Sequence, residues 1–184
     1  MGKREQTIDT ILQTTMKLLA NEGLGKLSMR RVANESSVSL SNLQYYFKDI
    51  EALLIAVVAN YFEWCAQEVQ DNISNSQDAR FETFLRNILT DHLVVGGKTD
   101  RCIMFREIWA LSSRSTAIDT AVNQYYNAYC KQVVSTLANY SAQPAVVAAL
   151  LLPYVEGYSI MGNSLTLDKK QVMDSLIAVI VGLG

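Results

Sequence analysis

The chain has 184 residues and a mass of 20.5 kDa, with 49% hydrophobic and 18% charged residues, enough for one large domain or two small ones around a buried core. Lys and Arg number 16 against 18 Asp and Glu, and the net charge of −2 excludes a uniformly basic, histone-like binder and a disordered acidic tail. With 2 prolines and 9 glycines the chain lacks the turn residues an all-β domain needs, so an all-α chain is expected.

Residues 5–22 place Ile8, Ile11, Leu12, Thr15, Met16 and Leu19 on one helical face, and Gly23 suits the left-handed residue that closes a helix. Ser28 can cap a short helix reaching Ser36, Ser39 a second over about 40–46, and Asp49 a long one over about 50–73. The polar run Ser74 to Asp78 separates this from a helix over 78–95 carrying Phe81, Phe84, Leu85, Ile88, Leu89, His92 and Leu93, closed by Gly96-Gly97. A shorter helix over 101–113 follows. A stripe of Ile118, Val122, Tyr125, Tyr129, Val133, Leu137 and Tyr140 then runs at close to heptad spacing. Pro144 suits the first turn of the next helix, which reaches Met161 with Pro153 as an expected kink. Thr166 or Asp168 caps the last, ending at Val181. The pattern predicts nine helices and no strand.

Charge is unevenly divided. Residues 1–48 carry seven basic and four acidic side chains, a net +3, which leaves −5 for the remainder. A basic head on an acidic body suggests a nucleic-acid footprint at the N-terminus. The stretch Met29 to Lys48 fits a helix-turn-helix: Ala33 is small where two helices touch, Val32 and Val38 fill between them, and Glu35-Ser36-Ser37 makes the turn. Ser37 stands where the left-handed turn prefers Gly. The second helix shows Ser39, Ser41, Asn42, Gln44 and Tyr45, none acidic; Asn and Gln can read adenine edges, and hydroxyls can bind phosphate. Lys26, Arg30, Arg31 and Lys48 flank it, Ser28 opens the preceding helix, and Lys3 and Arg4 form an N-terminal arm. These twelve residues are the expected DNA contacts.

The run SMRRVANESSVSLSNLQYYFKDIEALL resembles the DNA-binding signature of the TetR family of bacterial transcriptional repressors, with the match extending over residues 7–54. Gln44 departs from a common Tyr and Ile50 from a usual Lys. The resemblance implies a TetR-like fold: a three-helix head over 1–48 and a ligand-binding, dimerising body over 49–184. It further implies a cytoplasmic homodimer that represses transcription from a palindromic operator and is released by a small molecule. The stretch FREIWALSSRSTAIDTAVNQYYNAYCKQV is similar to the ligand domain of the subgroup related to the choline-responsive repressor of glycine-betaine synthesis.

The body is rich in aromatic rings that can fill a core, line an apolar pocket or box a cation. Phe62, Phe84, His92, Phe105, Trp109, Tyr129 and Tyr158 are the expected pocket residues, for an apolar or a cationic inducer with Glu107 or Glu156 as counter-charge. Ile118, Val122, Tyr125, Val147, Leu150, Leu151 and Tyr154 are the expected dimer face. Cys65, Cys102 and Cys130 are distant from one another and outside any CxxC pair, so no disulfide framework or metal is expected. No nucleophile elbow, phosphate loop or paired carboxylate suggests catalysis or a cofactor. The N-terminus turns polar too soon for a signal peptide, and the apolar run Ala145 to Leu152 is too short to span a bilayer. The competing reading is a helical ligand-binding or interaction module without DNA contact.

Overall fold

Helix boundaries in this protein follow from a few side chains that satisfy the unpaired N–H groups of a first turn. In a computed structural model, which describes residues 2–75, 80–90, 93 and 100–183, Ser28 Oγ accepts from Arg31 N at 3.3 Å and Ser39 Oγ from Asn42 N at 3.1 Å. Asp49 Oδ1 accepts from Ala52 N at 2.8 Å, and Asp168 Oδ1 from Lys170 N and Gln171 N at 2.9 and 3.0 Å. Asp168, rather than Thr166, is therefore the cap of the last helix. Among the described residues there are nine α-helices and no strand: α1 Lys3–Glu22, α2 Met29–Glu35, α3 Leu40–Tyr46, α4 Ile50–Asn75, α5 Phe81–Leu89, α6 Asp100–Ser112, α7 Thr116–Leu137, α8 Pro144–Met161 and α9 Lys169–Val181. Single 3₁₀ turns follow α1 at Leu24–Lys26 and α8 at Gly162–Ser164. The first helix starts two residues earlier than its apolar pattern, because Glu5 reaches back to the N–H of Gly2 at 2.8 Å.

The chain forms two compact units. The first comprises Met1–Trp64 and Ile103–Tyr126. In it α2 packs on both α1 and α3, burying Ile11, Leu12, Leu19, Val32, Ala33 and Leu43. Thr15, also buried, turns its hydroxyl onto the Ile11 carbonyl at 2.7 Å and leaves no polar atom unmade. Ser115 caps α7 by accepting from Ile118 N at 3.3 Å while donating to Glu51 Oε1 on the first turn of α4 at 2.6 Å.

The second unit comprises Cys65–Cys102 and Asn127–Gly184. Its core gathers Phe84, Leu85 and Leu89 of α5, Val133 and Leu137 of α7, Val147 and Leu151 of α8, and Ile177 and Ile180 of α9. Phe84 stacks on Tyr140 with centroids 4.4 Å apart. At its surface Arg86 of α5 bonds Asp174 of α9 at 2.5 Å, and Lys170 bonds the other Asp174 oxygen at 2.7 Å. Helix α8 runs on through Pro153. Its 18 residues, at a mean hydropathy of 1.4, are long and apolar enough by length and composition to cross a membrane, a longer apolar span than the expected Ala145–Leu152.

Candidate nucleic-acid interface

The turn between α2 and α3 is built by hydrogen bonds that close a helix through a left-handed residue. Ser37 N donates to the Asn34 carbonyl at 3.1 Å and Val38 N to the Ala33 carbonyl at 3.0 Å, the paired closure of a Schellman motif. That closure needs a positive φ at Ser37, and it has φ 56, alone in this region among the described non-glycine residues. Ser36 beside it is buried, and its hydroxyl has no hydrogen-bond partner among the described residues.

Beyond the turn, α3 divides its residues cleanly. Leu43 is buried in the first unit, whereas Ser41, Asn42, Gln44 and Tyr45 are exposed, Tyr45 at 75%. Ser39 and Ser41 join hydroxyls at 3.0 Å, and the rings of Tyr45 and Tyr46 meet edge to face at 5.2 Å. The exposed face thus offers amide, hydroxyl and phenol groups without a carboxylate, the chemistry suited to base edges and phosphate oxygens. Lys3, Arg4, Lys26 and Arg30 are exposed, and Lys48 lies 3.7 Å from Asp49.

Three of the expected contacts have structural duties. The Ser28 and Ser39 hydroxyls are taken up as the caps of α2 and α3, and Arg31 is bound to Glu22 of α1 at 2.5 Å. The Glu22 carboxylate also lies 4.0 Å from Lys26. Sequence spacing gave no sign of this pairing, which depends on how α1 crosses α2.

The expected pocket residues do not fall in one unit. Phe62 and Trp109 belong to the first, where Phe62 stacks on Tyr125 at 6.2 Å and Tyr126 meets both Phe62 and Trp109 edge to face at 5.6 and 5.8 Å. Phe84, Tyr129 and Tyr158 belong to the second. Phe84 fills the core against Tyr140, while Tyr158 is buried with its hydroxyl unpartnered among the described residues. His92 and the Phe105 side chain lie outside the described residues. Burial, and then the charge of Glu156, push the Cys130 thiol up.

The expected dimer face needs correction. Ile118, Val122, Val147 and Leu151 are buried within the protomer and have no surface to offer a second chain. Tyr125 is half-buried against Phe62. Leu150 and Tyr154 do face outward, with Val146, Ile160 and Met161 of the same helix and Val179 and Val181 of α9. Val146, Leu150 and Tyr154 recur every four residues. That spacing is a signal present in the sequence, but the opposite face of α8 is equally apolar and hides it.

The family described as "Bacterial regulatory proteins, tetR family" matches residues 11–57. An uncharacterized HTH-type transcriptional regulator in the dhlA 5' region of Xanthobacter autotrophicus is 30% identical over 97% of this chain and 91% of its own length. Among solved structures, a candidate TetR-family transcriptional regulator of Mesorhizobium loti MAFF303099 shares the fold with a TM-score of 0.78 at 17% identity, covering 100% of this chain and 97% of that one. A candidate transcriptional regulator of Saccharomonospora viridis in complex with choline has a TM-score of 0.70 at 16% identity, covering 96% and 94%.

Proposed function

We propose that this chain, which belongs to the tetR family of bacterial regulatory proteins, is a repressor that binds a palindromic operator as a homodimer and is released by a small molecule. The observation that carries the reading is the outward face of α3, polar and free of acid, set by a cap at Ser39 and a buried anchor at Leu43. Residues 1–48 serve as the DNA-binding part and 49–184 as the ligand-binding and dimerising part. Asn42, Gln44 and Tyr45 face the bases, Ser39 and Ser41 the phosphates, and Lys3, Arg4, Lys26, Arg30 and Lys48 supply the charge that makes binding salt-dependent.

Two such heads related by a two-fold axis meet successive major grooves, which is what a palindromic site requires. The exposed apolar residues of α8 and α9 supply the dimer contact, since an apolar strip of that kind on a protomer marks a surface meant to be covered. The protein works in the cytoplasm and without catalysis. The inducer is apolar or cationic. A cationic inducer draws support from the rings of Phe62, Tyr126 and Trp109, from the sequence resemblance to the choline-responsive subgroup, and from the choline-bound neighbour.

Gel retardation of the DNA upstream of the protein's own reading frame, across a salt series, tests the reading. Wild type should shift that DNA with an affinity that falls steeply with salt. The double variant Gln44→Ala, Tyr45→Ala should lose the shift while keeping its helical circular dichroism. Undiminished binding by that variant would overturn the assignment of α3 as the reading helix, and no shift of that DNA at any salt would favour the module without DNA contact.

A further inference from the structure

We infer that the buried hydroxyl of Tyr158 is the hydrogen-bond donor for a neutral, largely apolar small molecule bearing an acceptor oxygen. This rests on the reading of the chain as a ligand-responsive regulator and, of the two inducer classes given for it, takes the apolar one in place of the cationic one.

The argument begins with the buried polar side chains. Among the described residues the buried hydroxyls of Thr15, Ser112 and Thr136 turn back onto a carbonyl of their own helix, at 2.7, 3.0 and 3.0 Å, whereas Ser36 in the first unit and Tyr158 in the second leave theirs unpartnered. Serine and threonine can do this because the oxygen sits one bond beyond Cβ. The Tyr158 oxygen is carried at the far end of a rigid ring, away from its own backbone. Tyr158 is 7% exposed, and its hydroxyl has no partner among the described residues. A phenol in that state has given up water without replacement, and buried phenols ordinarily find a partner.

The ring is also held in place. A Cβ at Gly162 would fall 2.5 Å from Tyr158 Cε1, so the ring occupies space that only glycine leaves open. It also stacks with Tyr154, centroids 6.1 Å apart and planes 25° apart. Tyr158 belongs to the core cluster of the second unit, with Leu89, Leu93, Leu151, Met173 and Ile177. None of the described buried residues of that unit is charged. An uncharged apolar setting disfavours a cation or a carboxylate, whose desolvation would go uncompensated. A fixed donor in such a setting selects a neutral molecule by one oxygen, since a site built to make one hydrogen bond rejects the analogue lacking it.

Full-length protein would be melted with a ladder of short methyl ketones, with terminal alkenes of matching length, and with choline. The ketones should raise the wild-type melting temperature at lower concentration than the alkenes do, and choline should not raise it. Tyr158→Phe should melt no lower than wild type in the absence of probe and should weaken the apparent ketone affinity by about tenfold, leaving the alkenes unaffected. Gly162→Ala, which drives the ring aside, should also lose the ketone preference with the hydroxyl still present.

The inference is overturned if Tyr158→Phe melts below wild type without probe, because the hydroxyl would then already have a partner. It is overturned equally if ketones and alkenes act alike on wild type, if choline alone shifts it, or if ketone affinity survives Tyr158→Phe, as it would with only an ordered water at the oxygen. Retardation of upstream DNA by the same samples separates the two readings. A ketone preference that depends on Tyr158, in a protein that shifts no DNA, would refute the regulator and not the site. DNA binding without any ketone preference would refute the site alone.

Discussion

Glu22, in the last turn of α1, holds the guanidinium of Arg31 on α2 at a distance of 2.5 Å. The bond staples the helix that supports the turn to the helix that precedes it, and it leaves Arg31 engaged within the head. Replacing the carboxylate should separate these two roles. Both partners are partly exposed, so Glu22→Gln is expected to lower stability by no more than about 1 kcal/mol. Freed of its partner, Arg31 adds a positive charge near α3, and DNA binding should tighten at low salt, with the gain vanishing as salt rises. Urea melts and a salt series of gel shifts would check both; unchanged low-salt affinity would show that Arg31 does not reach the DNA.

The turn after α2 carries two serines that cost stability for different reasons. Ser37 holds φ 56, a conformation that penalises a side chain by about 1 kcal/mol or more. Ser36 buries an unpartnered hydroxyl, which costs about 1–3 kcal/mol. Ser37→Gly and Ser36→Ala should therefore each stabilise the protein by about 1 kcal/mol. The effects should not be strictly additive, because the residues are adjacent. Chemical denaturation midpoints would decide, and a loss of stability in either variant would contradict the geometry described.

Asp174 accepts from Lys170 and from Arg86, and these two bonds, in that order, hold its carboxyl below the usual carboxylate range. A group whose folded pKa is depressed contributes stability that is present above its unfolded value and lost as pH falls through the folded value. Wild type should accordingly lose stability below about pH 4 more steeply than Asp174→Asn does. Urea midpoints across an acid series measure the difference; parallel curves for the two proteins would show that the network is screened by water.

Leu150 and Leu151 are adjacent in sequence and opposite in environment, 46% and 4% exposed. Leu151→Ala opens a hole in the second unit's core and should cost about 2–5 kcal/mol. Leu150→Glu leaves that core intact and places a charge on the outward strip of α8, so it should yield a folded monomer in sedimentation analysis, with operator affinity reduced. A dimer that survives Leu150→Glu would move the interface away from α8.

Much of this architecture was readable in the sequence because its determinants are local. Ser28, Ser39, Asp49 and Asp168 each announce a helix start within three residues of the N–H they accept. The exposed face of α3 alternates with buried Leu43 at helical spacing. What stayed hidden depends on contacts between helices. Leu150 and Leu151 are the same residue, and only the packing of α8 on its neighbours tells one from the other. The expected pocket was assembled by residue type, yet Phe62 and Phe84 serve different units, and Phe84 spends its ring on Tyr140. The hydroxyl of Tyr158 became distinctive only once its surroundings were known to leave it unpartnered.

Pro153 lies within α8 and on its exposed side, like Ala149 one turn before it. A proline brings no N–H, so the carbonyl of Ala149 loses the donor that a regular helix would give it. Beside the outward strip formed by Val146, Leu150 and Tyr154 the helix thus carries an oxygen without its regular helical donor. A lipid tail has no donor to offer it, and neither has a purely aliphatic partner. Whatever covers this strip must either bring a hydroxyl or amide to that point or leave it wet. Tyr154, on the same strip, is the side chain in this helix that carries such a group outward. One imino acid thus gives an otherwise slippery surface a fixed register.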